Sequence, residues 1–283
     1  MRRGLPRVSA LVVAAACGGG DTAPGPIPII EGHYLGAWTL AVQGDRVDCP
    51  AALTITDQVD STFRTSFELL RRYAPGVGCI DTIEPGVGIV RATGVINALA
   101  ELVEPQTCTL KEANVGLTGK VVDDSITLSG RYTYQCPQDA VWTLAFAGST
   151  NGAPLPAYPD VTGTFSGTYT MLVPGTSIQV ECPVTVSLPT QVRDDVAGSY
   201  ELSGGGSCVA QPPEALTGVV TIDGYIELSG APPTPSGCSV QRPLVVAGDV
   251  AGDSLTVGGT FLLLCGSTLR ELGVVIAAAR TGL

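Results

Sequence analysis

Apolar and polar residues alternate in short runs along almost the whole chain, and a helical period is nearly absent. Ser125-Ile-Thr-Leu-Ser-Gly-Arg-Tyr-Thr-Tyr134 opens with strict alternation. Ile178 to Leu188 repeats it, with Pro183 as a local fault. A period of two sends successive side chains to opposite faces, so these runs predict strands with one face in a core. Val219-Val-Thr-Ile-Asp-Gly-Tyr-Ile-Glu-Leu228 reads as a hairpin, and Asp223-Gly224 suits a type I′ turn, in which both central residues take positive φ. The first-half stretch set against it, Gly94 to Val103, lacks that glycine and predicts a looser turn. Strands in the first half are expected near 34–42, 49–56, 64–72, 88–96, 99–104, 111–121, 125–135 and 141–148. Short turns join most of them, so each can pair with the next. A meander of about eight strands closes into a barrel and removes its exposed edges. The expected fold class is all-β, with two tandem antiparallel up-and-down barrels of about eight strands each. Two β-sandwiches are the alternative for the same pattern.

The tandem arrangement comes from the cysteines. Of nine, Cys17 stands alone near the N-terminus. Cys49, Cys79, Cys108 and Cys136 form one set, with gaps of 30, 29 and 28; Cys182, Cys208, Cys238 and Cys265 form another, with gaps of 26, 30 and 27. Neighbouring residues recur in the same order. Gly36-Ala-Trp38 and Asp48-Cys49-Pro50 match Gly167-Thr-Tyr169 and Glu181-Cys182-Pro183. Ser66 to Leu69 matches Ser199 to Leu202, Thr93 to Ile96 is set against Thr217 to Val220, and Asp124 to Gly130 matches Asp253 to Gly259. Self-similarity at one period signals a duplication. The division that follows is a signal peptide over 1–16, a flexible tether over 17–30, a β-domain over 31–150, a Pro-rich linker over 151–160 and a second β-domain over 161–283.

An even set of cysteines in an exported chain implies disulfides. Structural zinc sites use close C-x2-4-C pairs, and the chain has none. Four cysteines allow three connectivities, among which sequence does not strictly choose. Hairpin geometry prefers first with second and third with fourth. A turn near Asp123-Asp124 sets Cys108 opposite Cys136, and one near Ala251-Gly252 sets Cys238 opposite Cys265. The same construction puts Cys182 towards Cys208 and, less tightly, Cys49 towards Cys79.

Arg2, Arg3 and Arg7 precede an apolar stretch, Val8 to Ala16, and Cys17 leads into a Gly/Pro-rich leash. Ala14-Ala15-Ala16-Cys17 resembles the lipobox of bacterial lipoproteins. That resemblance implies that Cys17 becomes the N-terminus and carries acyl chains, which anchor durably. With Gly18 and not Asp next, it implies the outer membrane of a Gram-negative cell. The alternative is an ordinary secretory signal with Cys17 incidental. Gly36-Ala37-Trp38 near the first strand is similar to the G-x-W signature of the lipocalins, in which the Trp packs across the closed end of a barrel. Gly167 and Tyr169 stand at the matching place, so Gly36, Trp38, Gly167 and Tyr169 are the implied barrel-end packing residues. The same opening resembles small periplasmic protease-inhibitor barrels, which typically carry one disulfide.

Composition narrows the chemistry. Hydrophobic residues make up 45% and charged residues 14%, enough apolar surface for a core. No apolar run approaches the roughly 20 residues of a spanning helix. The chain has 26 acidic and 15 basic residues, which disfavours nucleic acid. His33 is the single histidine and has no G-x-S-x-G elbow to serve, so it reads as a surface residue. Asp123-Asp124 and Asp194-Asp195 could serve glycoside hydrolysis but fall at turn tips, where Asp is common for backbone reasons, and read as solvated. No calcium loop is present. Ser203-Gly204-Gly205-Gly206-Ser207-Cys208 lacks the Lys-Ser/Thr of a phosphate loop. The expectation is a non-catalytic, lipid-anchored envelope protein without cofactor or metal. It would bind a small apolar ligand or a protein, or act as a protease-inhibitor-like module; a carboxylate hydrolase ranks below both.

Overall fold

The computed structural model describes residues 25–73, 78–79, 82–100, 109–111, 115–135, 139–173, 179–204, 208 and 210–281. The first unit contains β1 (Gly32–Val42), β2 (Asp45–Val59), β3 (Thr62–Leu69), β4 (Thr82–Val90), β5 (Val95–Ala100), β6 (Thr109–Leu110), β7 (Val115–Val122), β8 (Ser125–Gln135) and β9 (Asp139–Ser149). The second contains β10 (Gly163–Leu172), β11 (Gln179–Val192), β12 (Asp195–Leu202), β13 (Gln211–Val220), β14 (Tyr225–Gly230), β15 (Cys238–Ala251), β16 (Ser254–Cys265) and β17 (Thr268–Arg280). All pairings are antiparallel. In the second unit β10 pairs with β17 and closes the barrel. In the first, β1 pairs with β9 and β9 with β8. Both β6 and β7 lie along one edge of β8, so together they occupy one place in an eight-membered wall. Closure excludes the sandwich.

Each barrel buries one contiguous apolar cluster from the inward set of its strands. The duplication extends to the backbone at the near end of each barrel, where β1 and β10 begin. Val90 N–H donates to Ser61 C=O at 2.8 Å and Val220 N–H to Asp194 C=O at 2.8 Å; Thr150 N–H donates to Asp124 C=O at 2.9 Å and Arg280 N–H to Asp253 C=O at 2.7 Å. One glutamine fastens the incoming chain in each. Gln58 accepts from Ile30 N–H at 2.8 Å and donates to Pro28 C=O at 2.8 Å. Gln191 accepts from Val161 N–H at 3.0 Å and donates to Pro159 C=O at 3.0 Å. Ile30 and Val161 are thereby buried. Pro28 and Ile30, assigned by sequence to the tether, are held on the barrel.

Several local expectations need correction. The strand expected at 88–96 straddles a turn: β4 ends at Val90, Gly94 N–H donates to Arg91 C=O at 2.9 Å, and Gly94 has φ 76°. The second turn is its twin, with Gly224 N–H on Thr221 C=O at 3.0 Å and Gly224 at φ 84°. Asp223 does not share the positive φ, so this is not type I′. It is a three-residue loop in which a type I turn ends on a left-handed glycine. Gly94 therefore corresponds to Gly224, the first turn does have its glycine, and Thr93 to Ile96 does not match Thr217 to Val220. The shared tripeptide Thr-Gly-Val lies in the turn itself in the first unit and in the strand before the turn in the second, so it does not mark equivalent positions. The strand expected over 111–121 is β7, which begins only at Val115, while β6 at Thr109–Leu110 precedes the expected start.

Three disulfides fall within the described residues: Cys49–Cys79, Cys182–Cys208 and Cys238–Cys265. The pairing expected for Cys108 with Cys136 lies outside them. Cys238 and Cys265 are directly opposed in the β15–β16 hairpin, after two register shifts between Val240 and Val245. Cys49 and Cys79 are not hairpin partners. Cys79 instead forms an isolated bridge with Arg72, N–H to C=O at 3.0 Å, beyond the end of β3. The disulfide thus ties β2 to the β3–β4 connection.

That connection joins the barrels. Arg71 pairs with Asp194, and its C=O accepts from Ile222 N–H at 3.1 Å. Its N–H donates to Tyr158 Oη at 2.6 Å. Arg72 reaches Asp223 at 3.0 Å, and Arg193 reaches back to Glu68 at 2.7 Å. Tyr73 stacks on Tyr225 with ring centroids 4.2 Å apart. The far end of barrel 1 is docked on the near end of barrel 2.

Candidate binding surfaces

A carrier would hold its ligand in the barrel interior. Trp38, 3% exposed, packs between Phe67 and Phe146 with ring centroids 5.4 Å away on each side. Gly36 lies on the same inward face. A Cβ there would stand 1.9 Å from the Ala147 carbonyl oxygen, so only glycine lets β9 pass this close. Leu53, Ile96, Leu117 and Ile126 complete the middle of the barrel, each at most 2% exposed. In barrel 2, Tyr169 stacks on Tyr200 with centroids 6.5 Å apart, and Gly167 lies under the Ala277 carbonyl oxygen at 2.1 Å from its ideal Cβ. Phe165, Phe261, Ile226 and Leu255 fill the rest and are fully buried. An eight-stranded wall encloses just enough room for its own side chains, and here they occupy it.

Burial pushes the Tyr169 and Tyr200 phenols above their ordinary value, with Tyr200 a lesser cause for Tyr169 and Glu214 a lesser cause for Tyr200. The Tyr200 hydroxyl donates to Ala231 C=O at 2.6 Å. A group whose folded pKa is raised stays neutral in the barrel while the unfolded chain ionises. Barrel 2 should therefore be fully stable below pH ~10 and lose up to about 1.4 kcal/mol per tyrosine for each pH unit above it. Urea melts between pH 8 and 11 check this; a Tyr169→Phe variant should show about half the slope.

The carboxylates singled out by sequence do not converge. Asp123 and Asp124 sit at the β7–β8 turn, exposed, with Asp123 at φ 50° and Asp124 accepting from Asn151 at 3.0 Å. Asp195 is exposed, but Asp194 is not solvated: it is 5% exposed because the barrel joint covers it, and it holds Arg71. His33 is exposed and contacts Thr54 Oγ1 at 2.9 Å. Among the described residues no three His, Cys, Asp or Glu side chains gather as metal ligands. Of the glycine run, Ser203 N–H donates to Pro183 C=O at 3.0 Å and Cys208 is in its disulfide; residues 205–207 lie outside the described set.

One surface departs from its repeat partner. In β4 the pattern is inverted. Ile83, Val87 and Ile89 face solvent at 57, 55 and 44% exposure, while Gly86 and Gly88 face the core. The core there is already filled from β3: a Cβ on Gly86 would lie 2.3 Å from Thr65 Oγ1, and one on Gly88 2.3 Å from the Phe63 ring. Leu99 of β5 stands directly opposite Val87 and is 49% exposed. In barrel 2 the volume is divided differently, with Leu216 in the core opposite Gly198. Its outward pair at the position of Val87 and Leu99 is Thr217 and Ser229.

No family model matches the sequence, and no curated protein matches it. Solved structures are similar to it. A protein of unknown function from the DUF3598 family of Nostoc punctiforme PCC 73102 is 13% identical, with 89% of this chain and 96% of that one covered at a TM-score of 0.27. A protein of Bacteroides fragilis NCTC 9343, assigned provisionally to the outer membrane, is 15% identical over 89% and 98%, at 0.30. The isotype 1 transferrin binding protein B of serogroup B Neisseria meningitidis is 10% identical over 91% and 78%, at 0.27.

Proposed function

We propose that the chain is a non-catalytic, lipid-anchored protein of the cell envelope that binds a partner through its outer surfaces. The packed interiors carry this reading. With Trp38 and Tyr169 and their neighbours packed together inside the two barrels, a carried ligand would have to displace them, and recognition falls to the walls and end loops. The anchor rests on the lipobox resemblance at Cys17 and the leash that follows it. The disulfides support an oxidising compartment. The acidic balance, 26 against 15, leaves attachment to the acyl chains and not to anionic headgroups. In a Gram-negative host the full chain should fractionate with membranes, and Cys17→Ser should move it to the soluble periplasm. A membrane-bound Cys17→Ser protein, or a soluble parent, overturns the anchor.

A further inference from the structure

We propose that the β3–β4–β5–β7 wall of barrel 1 is a self-association surface whose occupant is the same wall of a second copy. The inference is independent of the lipid anchor. Four observations on the wall converge.

The first is the inverted strand. Ile83, Val87 and Ile89 form an outward stripe, continued sideways by Leu99. These four side chains expose on the order of 400 Å², a size at which patches on monomers are commonly functional. The strand is paired on both sides, so its edges are not free and the partner must lie on its face.

The second is charge. The same four strands of barrel 2 turn Asp195, Glu201, Glu227 and Asp249 outward against one base, Arg242 of β15, which is engaged by Glu271. In barrel 1 they carry Arg64 and Lys120 with two acids, Glu68, which is engaged by Arg193, and the half-buried Glu84, which accepts from Thr82; Arg64 itself lies 4.0 Å from Asp57 of β2. In a chain of net charge −11 this is the wall on which two copies approach without mutual repulsion.

The third is shape. Val87, Ile89 and Leu99 border a shallow groove also lined by Asn97, Gly116 and Thr118. Gly116 is opposite Leu99, and a Cβ there would meet nothing within 4 Å. Ridge and notch lie side by side on one surface, so a two-fold axis can seat each ridge in the other copy's notch, as an isologous contact requires.

The fourth is size. A standard interface takes roughly 800 Å² from each partner. A stripe of about half that, plus its polar flank, supports a concentration-dependent dimer of micromolar or weaker affinity. Proteins concentrated on one membrane would still meet.

Sedimentation of the exported Cys17→Ser chain tests this. That chain carries both barrels and no lipid, however its leader is removed. Its mass should rise from monomer towards dimer between roughly 1 and 300 µM. Val87→Thr with Leu99→Ser installs the pair that barrel 2 already accommodates and should hold the mass at monomer. Asn97→Glu installs the acid of barrel 2 at that place, Glu227, and should weaken the dimer at least tenfold in low salt, with partial recovery at high salt. Val192→Thr, an exposed apolar position on barrel 2, should change nothing. Thermal melts confirm that each variant is folded, and Asn97→Glu remains readable if the double variant is not. A parent that stays monomeric across the range overturns the proposal. So does a dimer that survives both wall variants.

Discussion

Trp38→Ala should cost barrel 1 about 3–5 kcal/mol, the usual range for truncating a buried tryptophan. The ring is 3% exposed and touches Phe67 and Phe146 on opposite sides, so its removal opens a void that the closed wall cannot collapse into. For a barrel of this size the loss corresponds to roughly 10–20 °C in melting temperature. Trp38→Phe should cost far less. It keeps most of the volume and deletes an indole N–H that has no hydrogen-bond partner among the described residues. Calorimetry separates the cases, because barrel 2 has its own core and should keep its transition. Equal losses for Ala and Phe would contradict a packing role for the ring.

Gly167→Val should be the most damaging single change in barrel 2, above about 4 kcal/mol. Its new Cβ would stand 2.1 Å from the Ala277 oxygen and 2.5 Å from the Ala278 Cα. Both are backbone atoms of β17, so no rotamer change gives relief and the β10–β17 closure must open. Gly116→Ala is the control, since its Cβ meets nothing within 4 Å; it should stay within about 0.5 kcal/mol of the parent. Circular dichroism melts of the two variants, read against calorimetry, give the answer. A Gly167→Val protein that retains the barrel 2 transition would show that the close approach of β10 and β17 is not needed.

These two predictions exploit motifs that were legible in the sequence, and for physical reasons. Gly36 with Trp38 and Gly167 with Tyr169 recur because the same wall must both narrow and fill at the same place. The cysteine sets were legible because disulfide geometry tolerates little drift between copies. β4 was hidden: Pro85, Gly86 and Gly88 look like turn residues, yet Pro85 faces outward and the glycines make way for Thr65 and Phe63. Its inversion becomes visible only with the register, which no local period supplies. The joint was also hidden, since Arg71, Arg72 and Tyr73 act through residues far along the chain. Gln58 and Gln191 did leave a signal. Each stands at one fixed distance after its cysteine, Cys49 or Cys182, and two residues before a positive-φ residue, Asp60 or Arg193.

The joint has a consequence for how long such an assembly can grow. A duplicated domain that docks its far end on the near end of its own copy is a head-to-tail contact, and such contacts propagate into fibres unless something stops them. Here the chain stops them with its sequence. The place of Arg71 in barrel 2 is taken by Gly204, so the outermost far end offers no guanidinium there. On the outermost near end, Ser61, Thr93 and Val95 stand where barrel 2 has Asp194, Asp223 and Tyr225, so nothing waits to receive one. The far end of barrel 2 does keep Glu201 at the place of Glu68, but Asp60 stands where barrel 2 has Arg193, so in a repeat of this contact acid would face acid.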